Sequence, residues 1–521
     1  MNWRILAAAL VTTASTAAAQ DVSELRTAPE RTEFAETTRY EDVLHLMETA
    51  AAASPVVHLT TFGYSMEGRP LPLAVVGEVP DASAASVRES GRTVVYLQGN
   101  IHGGEVEGKE VLLMLLREFA EGAHAEVLDS LVLLVAPILN ADGNERVQLT
   151  NRGAQHGPIA GTGTRPNAQG LNINRDHMKL DSPEARSFAL LLRDYDPHLA
   201  VDLHTTNGTR HAYHLTYSPP LHPNLHSALY SLLRERLFPE MTRNVRDRQG
   251  WDFYYYGNVQ GQEDERGWYT FDYRALFNNN YLGLRNRPGL LSEAYSYATF
   301  QDRITATRLF VDETLRFSHA HASEIRELVA QADATSIVGD TLALRAEPRR
   351  SSERVEILMG EVVEDRNPYT GEVMLRRTDV SRPERMWEFG TFAPTVTERV
   401  PRAYLIPPEL GDVLDNLAVH GVRTEPAAAG GAVAVERFRI ASQVVSPREF
   451  EGRFERTIEG AWEMASVSIP AGTVRVSMDQ PLARLIFSLL EPRSGDGLAT
   501  WGTLDAQLEG ATTTYPILRL P

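Results

Sequence analysis

Short apolar runs and longer helical patterns alternate along the first part of the chain. The runs are bounded by Gly, Pro and Asn, which favours strands. They occupy 93–97, 131–136, 199–203 and 289–291. Apolar positions at helical spacing occupy 38–52, 106–121, 183–195 and 303–330. Strand and helix alternating in this way predict an α/β layer fold.

The pattern of hydrophobic and polar residues changes near residues 332–335. Beyond them the chain consists of short alternating runs separated by turn residues, as in 341–345, 433–440 and 473–478. Such alternation is typical of strands with one buried face. The pattern predicts two units, 20–334 and 335–521, the second an all-β region for which a β-sandwich is one form.

The first nineteen residues are predicted to be a secretory signal peptide. Arg4 precedes an apolar run that ends at Val11, and small residues lead to a cleavage point after Ala19. The alternative, a buried N-terminal helix, is disfavoured by polar interruptions at 12–13 and 15–16. Because no later stretch has the roughly 18–20 apolar residues of a membrane span, we expect an exported protein, periplasmic or extracellular.

Composition narrows the chemistry. The chain has 51 basic and 69 acidic side chains, a net charge of −18, and no cysteine. Nucleic acids and anionic membranes attract a concentrated positive field, so neither is an expected partner. Without thiolates, a tightly held transition metal has to use His, Asp or Glu.

The spacing His-x-x-Glu, which can bring two metal ligands together, occurs three times. His45/Glu48 and His321/Glu324 lie in helical patterns, where positions three apart share a face that is usually solvated. We interpret these two pairs as surface features.

The third pair, His102/Glu105, has a different context. It follows the apolar run 94–97 and lies in a glycine-rich loop, 99–105, ahead of a helix. Open α/β sheets bind ligands at such strand ends, and glycine lets the backbone approach closely. A hydrolytic zinc site needs three protein ligands and an open position. His204, which ends the run 199–203, is the candidate for the third.

Two more strand ends are expected at the same edge of the sheet. The run 131–139 leads into Asn140-Ala141-Asp142-Gly143, and 288–292 leads into Glu293. A carboxylate at the latter position can take a proton from water and pass it to a leaving amine. The alternative for an isolated glutamate is a surface residue, but the apolar run before Glu293 favours burial.

In this order, the motifs resemble the zinc carboxypeptidases of the carboxypeptidase A type. They are His102-Gly103-Gly104-Glu105, Asn140-Ala141-Asp142-Gly143, Asn174-Arg175, His204 and Glu293. The resemblance covers roughly residues 35 to 330. It implies a mixed sheet of roughly eight strands with helices on both faces.

The resemblance also implies a role for each matching residue. His102, Glu105 and His204 would hold a single zinc ion, and Glu293 would act as general base and acid. Asn174 and Arg175 would bind the substrate's terminal carboxylate, for which guanidinium offers a matched two-donor fork.

A second arginine is expected to stabilise the oxyanion of the scissile carbonyl. Arg165 is the first choice for it and Arg152 the reserve, although either could be a solvated loop charge. The segment 278–287 resembles exported bacterial members, in which Tyr281 would be a mobile phenol over the substrate and Arg285 a further carboxylate contact.

Two departures from the family pattern stand out. Asn172 occupies the position two before the Asn-Arg pair where the family has an aspartate that orients a zinc-bound histidine. An amide accepts the imidazole proton without adding charge, so the ligand should be less basic. The pair is also followed by Asp176-His177-Met178-Lys179 instead of Asn and an aromatic residue.

The sequence therefore predicts an exported zinc metallocarboxypeptidase acting on peptides with a free C-terminal carboxylate. A murein-peptide amidase or an N-acyl amino-acid deacylase could use the same ligands. A hypothesis of another class is a non-catalytic binding protein that uses the β-region.

Overall fold

The computed structural model describes residues 22–428, 430–510 and 512–521. The expected signal peptide, residues 1–19, lies outside the described residues and stays a prediction. Within the described residues, no helix combines the length and apolarity that crossing a membrane requires.

Ten strands belong to the first unit as the structure describes it. They are β1 (Val57–Tyr64), β2 (Pro70–Val76), β3 (Thr93–Gly99), β4 (Leu131–Ala136), β5 (Leu199–Thr205), β6 (Leu215–Ser218), β7 (Phe253–Tyr255), β8 (Asn258–Gln260), β9 (Gly267–Tyr269) and β10 (Gly289–Ala294).

The helices of this unit alternate with the strands. They are α1 (Ala28–Arg31), α2 (Tyr40–Ala53), α3 (Ala84–Glu89), α4 (Glu107–Ala120), α5 (Ala141–Glu145), α6 (Pro183–Tyr195), α7 (Ser227–Ser231), α8 (Phe238–Gln249), α9 (Asn278–Leu284), α10 (Phe300–Ala320) and α11 (Ala322–Ala334). The helix expected over 303–330 is thus two helices, because α10 ends at Ala320 and α11 starts at Ala322.

Eight strands form one mixed sheet in the order β1-β2-β4-β3-β5-β10-β6-β7. The central strands β4, β3, β5 and β10 run parallel, whereas β1, β2 and β6 pair antiparallel. The central strands are continuous apolar runs because both of their faces are buried. The predicted α/β fold with a mixed eight-stranded sheet is confirmed.

Successive side chains of β3 enter different cores. Val95 and Leu97 pack with apolar residues of α2, α4 and α10 on one face of the sheet. Val94 and Tyr96 pack on the other face with α6, α9 and side chains from the C-terminal unit, among them Trp501. The period of two in a strand thus decides which cover each residue meets, and the C-terminal unit covers part of the sheet.

As far as the structure describes it, the C-terminal unit is built from long hairpins and three helices. Its elements are β11 (Thr341–Arg349), β12 (Arg354–Arg366), β13 (Val373–Phe389), β14 (Thr391–Arg399), β15 (Ala403–Ile406), α12 (Gly411–His420), β16 (Glu425–Pro426), β17 (Ala432–Phe450), β18 (Arg453–Ser468), β19 (Val474–Ser477), α13 (Ala483–Leu490), α14 (Asp505–Leu508) and β20 (Thr514–Leu520).

Three sheets organise these strands. One joins β11 and β14, one has the order β16-β19-β15-β20-β17-β18, and one has the order β12-β13-β9-β8. The β-rich C-terminal region is therefore confirmed. The last sheet combines strands from both sides of residue 334, so the two units share backbone hydrogen bonds.

Candidate active site

The site lies where three parallel strands end. His102 follows β3, His204 is the penultimate residue of β5, and Glu293 is near the end of β10. Gly99 pairs with Leu203, and His204 pairs with Glu293. Because parallel strands end at the same edge of a sheet, this register brings residues far apart in sequence to one place.

Three buried side chains form a cluster with the character of a metal site. His102 Nδ1 and His204 Nδ1 lie 3.0 Å and 2.8 Å from Glu105 Oε2, and the two nitrogens are 3.2 Å apart. Their ligand atoms lie within 4.8 Å of one another. Zinc bonds to nitrogen and oxygen are about 2 Å long, so tetrahedral ligands lie roughly 3 Å apart. The set and its spacing fit a zinc ion.

The loop between His102 and Glu105 needs its glycines. A Cβ added to Gly103 would lie 2.4 Å from the carbonyl carbon of Gly143, and one added to Gly104 would lie 2.7 Å from Gly163 O. These are backbone atoms that cannot move aside as a side chain would. The glycines therefore let the loop sit directly against its neighbours, as the sequence pattern indicated.

Each histidine of the cluster has a different partner behind it. His204 Nε2 lies 2.8 Å from Asp202 Oδ2, and Asp202 Oδ1 accepts a hydrogen bond from Gln98 at 3.0 Å. His102 Nε2 lies 3.1 Å from Asn172 Oδ1. The amide expected to orient a histidine therefore faces His102.

Sequence reasoning missed Asp202. Its signal was present, because positions two apart in a strand face the same side and a lone aspartate stands two before His204 in an apolar run. A carboxylate behind a metal-binding imidazole fixes its orientation and raises its basicity.

Burial and charge set the protonation of the cluster. Burial lowers the pKa of His102 to about 4, which leaves its ring neutral and able to donate a lone pair. Burial also opposes charge on His204, but the Asp202 and Glu105 carboxylates hold its pKa well above the usual value. Burial works against ionised Glu105 as well, yet His102 and Arg152 hold its pKa well below its usual range. The Asp202 and Glu105 carboxylates thus stabilise positive charge in the cluster.

The pKa of Glu293 is shifted in the opposite direction to that of Glu105. Burial raises its pKa to about 7, against the lowering effect of His204 and with the support of the Glu105 charge. A carboxyl group with a pKa near neutrality can both accept and release a proton.

A cavity of about 350 Å³ opens over the cluster. Its lining consists of His102, Glu105, Arg165, Asn174, Arg175, His204, Thr205, Thr206, Asn207, Tyr256, Phe271, Phe277, Asn279, Leu291 and Glu293. The structure therefore brings seven of the nine sequence-predicted site residues to one cavity.

Arg175 faces this cavity with its charge available. Its guanidinium lies 3.7 Å from the centre of the Phe277 ring, and its NH1 donates to the Asn174 carbonyl rather than to a carboxylate. Burial, followed by the charge of Arg165, lowers its pKa to about 10. An ion pair with the carboxylate of an incoming substrate would stabilise this guanidinium.

The two candidate oxyanion arginines differ in their contacts. Arg152 is fully engaged, donating to Glu105 at 3.0 Å, to Gln155 at 2.7 Å and to the carbonyls of Thr205 and Thr206. Arg165 lines the cavity, its side chain is 45% exposed, and its NH1 lies 3.2 Å from Glu105 Oε1. The geometry favours Arg165.

Tyr281 and Arg285 require a correction, because the structure keeps both away from the cavity. Tyr281 is fully buried in α9, where its hydroxyl lies 2.7 Å from His420 Nδ1 and accepts a hydrogen bond from Arg285 at 3.1 Å. Its ring stacks on His177. These contacts join α9 to α12 of the C-terminal unit, so the two side chains have a packing role.

The cavity contains aromatic residues that the sequence reasoning did not single out. They are Tyr256, Phe271 and Phe277. They follow β7 and precede α9 in irregular segments with no periodic signal, so only the tertiary fold places them beside Glu293.

Comparison with known proteins agrees with this geometry. The zinc carboxypeptidase family matches residues 43–219, a segment that includes the three cluster residues. The chain therefore contains a zinc carboxypeptidase domain. It is accordingly a zinc metallocarboxypeptidase enzyme, and the recognition made from the motifs is confirmed. The matched segment ends before Glu293, so the place of that residue rests on the sheet register.

Two curated relatives and one solved structure are similar to this chain. Carboxypeptidase 2 of Trichophyton tonsurans is 26% identical over 482 residues, which cover 88% of this chain and 81% of that protein. Carboxypeptidase D of Mus musculus is 36% identical over 145 residues, which cover 25% of this chain and 10% of that protein. The solved structure of a metallo-carboxypeptidase from Burkholderia cenocepacia superposes with a TM-score of 0.40 and 16% identity, covering 54% of this chain and 69% of that one.

Proposed function

We propose that this zinc carboxypeptidase is exported and removes the last residue from peptides with a free C-terminal carboxylate. One observation carries the proposal: the cavity contains the metal cluster, the largely buried Glu293 and Arg175 together. Among the residues that the structure describes, Arg175 forms no ion pair, and its NH1 donates to a backbone carbonyl. A metal, a proton carrier and a carboxylate receptor are the three parts that this reaction needs.

In the proposed mechanism, His102, Glu105 and His204 would hold the zinc ion. When bound there, zinc polarises a carbonyl oxygen and makes a water molecule more acidic. Glu293 takes a proton from the attacking water and delivers it to the departing amine, for which its pKa of about 7 is well suited. Arg165 donates to the oxygen that becomes negative as the water adds.

Arg175 and Asn174 select the end of the chain. The Arg175 guanidinium binds the terminal carboxylate, and the Asn174 amide, whose Oδ1 accepts a hydrogen bond from the Asn278 N–H at 2.8 Å, is held beside it. A substrate without this carboxylate leaves a largely buried guanidinium unpaired, which is costly.

The test compares a peptide with its C-terminal amide, in the wild type and in Glu293→Gln. We expect the wild type to cleave only the free peptide and to lose this activity with a chelator. Glu293→Gln should retain zinc and lose turnover by roughly 10²–10⁴-fold. Equal cleavage of the amide would instead favour an amidase or deacylase, and full turnover in Glu293→Gln would refute the assignment.

The metal ligands have a matched control in this chain. Glu105 and Glu324 both stand three residues after a histidine, but Glu324 pairs with Arg236 on the surface. Glu105→Gln should lose stoichiometric zinc, whereas Glu324→Gln should keep it. Zinc retained by Glu105→Gln would remove that residue from the ligand set.

Export rests on the signal-peptide pattern of residues 1–19. The N-terminal residue of the protein purified from its native source is the readout, and we expect Gln20. An N-terminus at Met1 would contradict export through this segment.

A further inference from the structure

The tip of the β17–β18 hairpin touches the unit that contains the active site. Phe450 pairs with Arg453, and Glu451 and Gly452 form the two-residue turn between them. Glu451 Oε2 accepts a hydrogen bond from the Asn172 N–H at 2.8 Å, and its carbonyl accepts one from Lys179 Nζ at 3.0 Å. A side chain of the C-terminal unit therefore holds the backbone of Asn172.

Asn172 links this contact to the metal cluster. Its Oδ1 lies 3.1 Å from His102 Nε2 and accepts a hydrogen bond from the Asn174 N–H at 3.0 Å. Glu451 thus acts on the backbone of a residue whose side chain orients one metal ligand. The same residue fixes the short 3₁₀ helix Ile173–Arg175, which presents the carboxylate-binding pair to the cavity.

The backbone at Glu451 is unusual for this residue type. Its φ is +48° and that of Gly452 is +76°. A two-residue hairpin turn with positive φ at both positions favours Asn, Asp or Gly at the first. A longer side chain kept in the left-handed region indicates that the surroundings fix it there, and such residues cluster at functional sites.

The length of its side chain explains why glutamate is found at position 451. The turn itself would be easier to form with Asn or Asp, but glutamate has one more methylene with which to reach the Asn172 N–H. The turn therefore favours a shorter residue at position 451, whereas the contact with Asn172 requires glutamate. Glutamate is the residue present.

We propose that the β17–β18 tip is a fixed part of the active site and that Glu451 is a positioning residue, which sets Asn172 against His102. The inference rests on the proposed function, since it assumes that His102 binds zinc. It gives the C-terminal unit a role in metal binding in addition to covering the sheet.

Two variants test whether the side chain at position 451 has to be long enough to reach the Asn172 N–H. Glu451→Gln and Glu451→Asn both replace the carboxylate by an amide, and they differ by one methylene. Gln keeps an acceptor oxygen at the distance of the Asn172 N–H. Asn suits the turn better but falls short of the contact.

Arg453→Ala is the control for weakened docking of the tip. Arg453 forms an ion pair with Asp181 across the same interface and has no hydrogen bond to Asn172. Its loss should loosen the tip without removing the contact of Glu451.

The experiment titrates zinc into the metal-free, full-length proteins against a competing chelator, with kcat, KM and Tm measured separately. We expect Glu451→Gln and Arg453→Ala to bind zinc within about twofold of the wild type, and Glu451→Asn about tenfold more weakly. Glu451→Asn should also lower kcat more than it raises KM, with a metal-free Tm no lower than that of Glu451→Gln.

Three results would overturn the inference. They are wild-type zinc affinity in Glu451→Asn, equal weakening in both amide variants, and an Arg453→Ala variant as weak as Glu451→Asn. A wild type that binds no zinc would overturn the proposed function together with this inference, whereas the other results leave that function standing.

Discussion

Asp202 Oδ2 lies 2.8 Å from His204 Nε2, on the side of the imidazole away from Glu105. The corresponding place behind His102 is filled by the neutral amide of Asn172. The two histidine ligands of the proposed zinc site thus have unequal support, one charged and one neutral. Since a carboxylate makes the imidazole a stronger donor, His204 is expected to be the stronger zinc ligand.

Exchanging the charges behind the histidines should move zinc affinity in opposite directions. Asp202→Asn should weaken zinc binding by roughly 10- to 100-fold, because the amide cannot accept from both His204 and Gln98 and carries no charge. Asn172→Asp should tighten it. Chelator competition at neutral pH measures both, and a shift of the same sign in the two variants would contradict the unequal support.

Arg175 should be sensitive to a change that keeps its charge. Arg175→Lys removes the two-donor fork, and we expect kcat/KM for a free peptide to fall by roughly 10- to 100-fold. Arg266→Lys is the control, since Arg266 pairs with Glu384 in the sheet shared by the two units. Unchanged kinetics in Arg175→Lys would place the carboxylate elsewhere.

The cavity should prefer an apolar last residue. Phe271, Phe277 and Leu291 line it, and its two arginines repel an incoming cation. The carboxylates in its lining, Glu105 and Glu293, belong to the proposed catalytic groups. In a peptide series that varies only in the last residue, Phe or Leu should exceed Lys in kcat/KM by at least roughly tenfold. A preference for Lys would show that another acidic group faces the substrate.

Tyr281→Phe tests the packing role assigned to Tyr281. The variant removes the buried hydroxyl that His420 Nδ1 and Arg285 NH1 contact, while Arg285 keeps its hydrogen bond to the His420 carbonyl. The free energy of unfolding should fall by about 1–3 kcal/mol. We expect kcat/KM to stay within about twofold of the wild type, because the hydroxyl lies away from the cavity. A large loss of kcat with unchanged stability would restore the phenol to the reaction.

Acid should destabilise the fold through His198. Burial, with the nearby charge of Arg287, lowers its pKa to about 4 from 6.5, and its Nδ1 accepts a hydrogen bond from the Val94 N–H at 3.0 Å. The folded state therefore binds fewer protons than the unfolded state between these pKa values. Stability is complete above pH 6.5 and is lost as the pH falls towards 4.

His198→Asn keeps an acceptor but does not titrate. Between pH 7.5 and 4.5 the wild type should lose about 2 kcal/mol more unfolding free energy than the variant. Zinc release affects both proteins alike, so the difference isolates this histidine. Equal losses in denaturant titrations would exclude it as an acid sensor.

The sequence by itself determined the α/β layer, the β-rich end and the metal cluster. Periodicity reports which faces of an element are buried, and strand-end residues such as His102, His204 and Glu293 are recognisable because apolar runs precede them. The glycines at 103 and 104 and the amide at 172 were also recognisable in the sequence. Glycine indicates close approach of the backbone, and Asn172 stands where the family has an aspartate that orients a histidine.

Only the tertiary structure decided which arginine faces the cavity, where Tyr281 lies and what the C-terminal unit contacts. Arg152 and Arg165 look alike in sequence, and the difference is that one is saturated by Glu105 and backbone carbonyls whereas the other is half exposed. The contact of Glu451 with Asn172 joins residues 279 positions apart. Local patterns contain no information on such pairs, because contacts this distant in sequence depend on how whole elements pack.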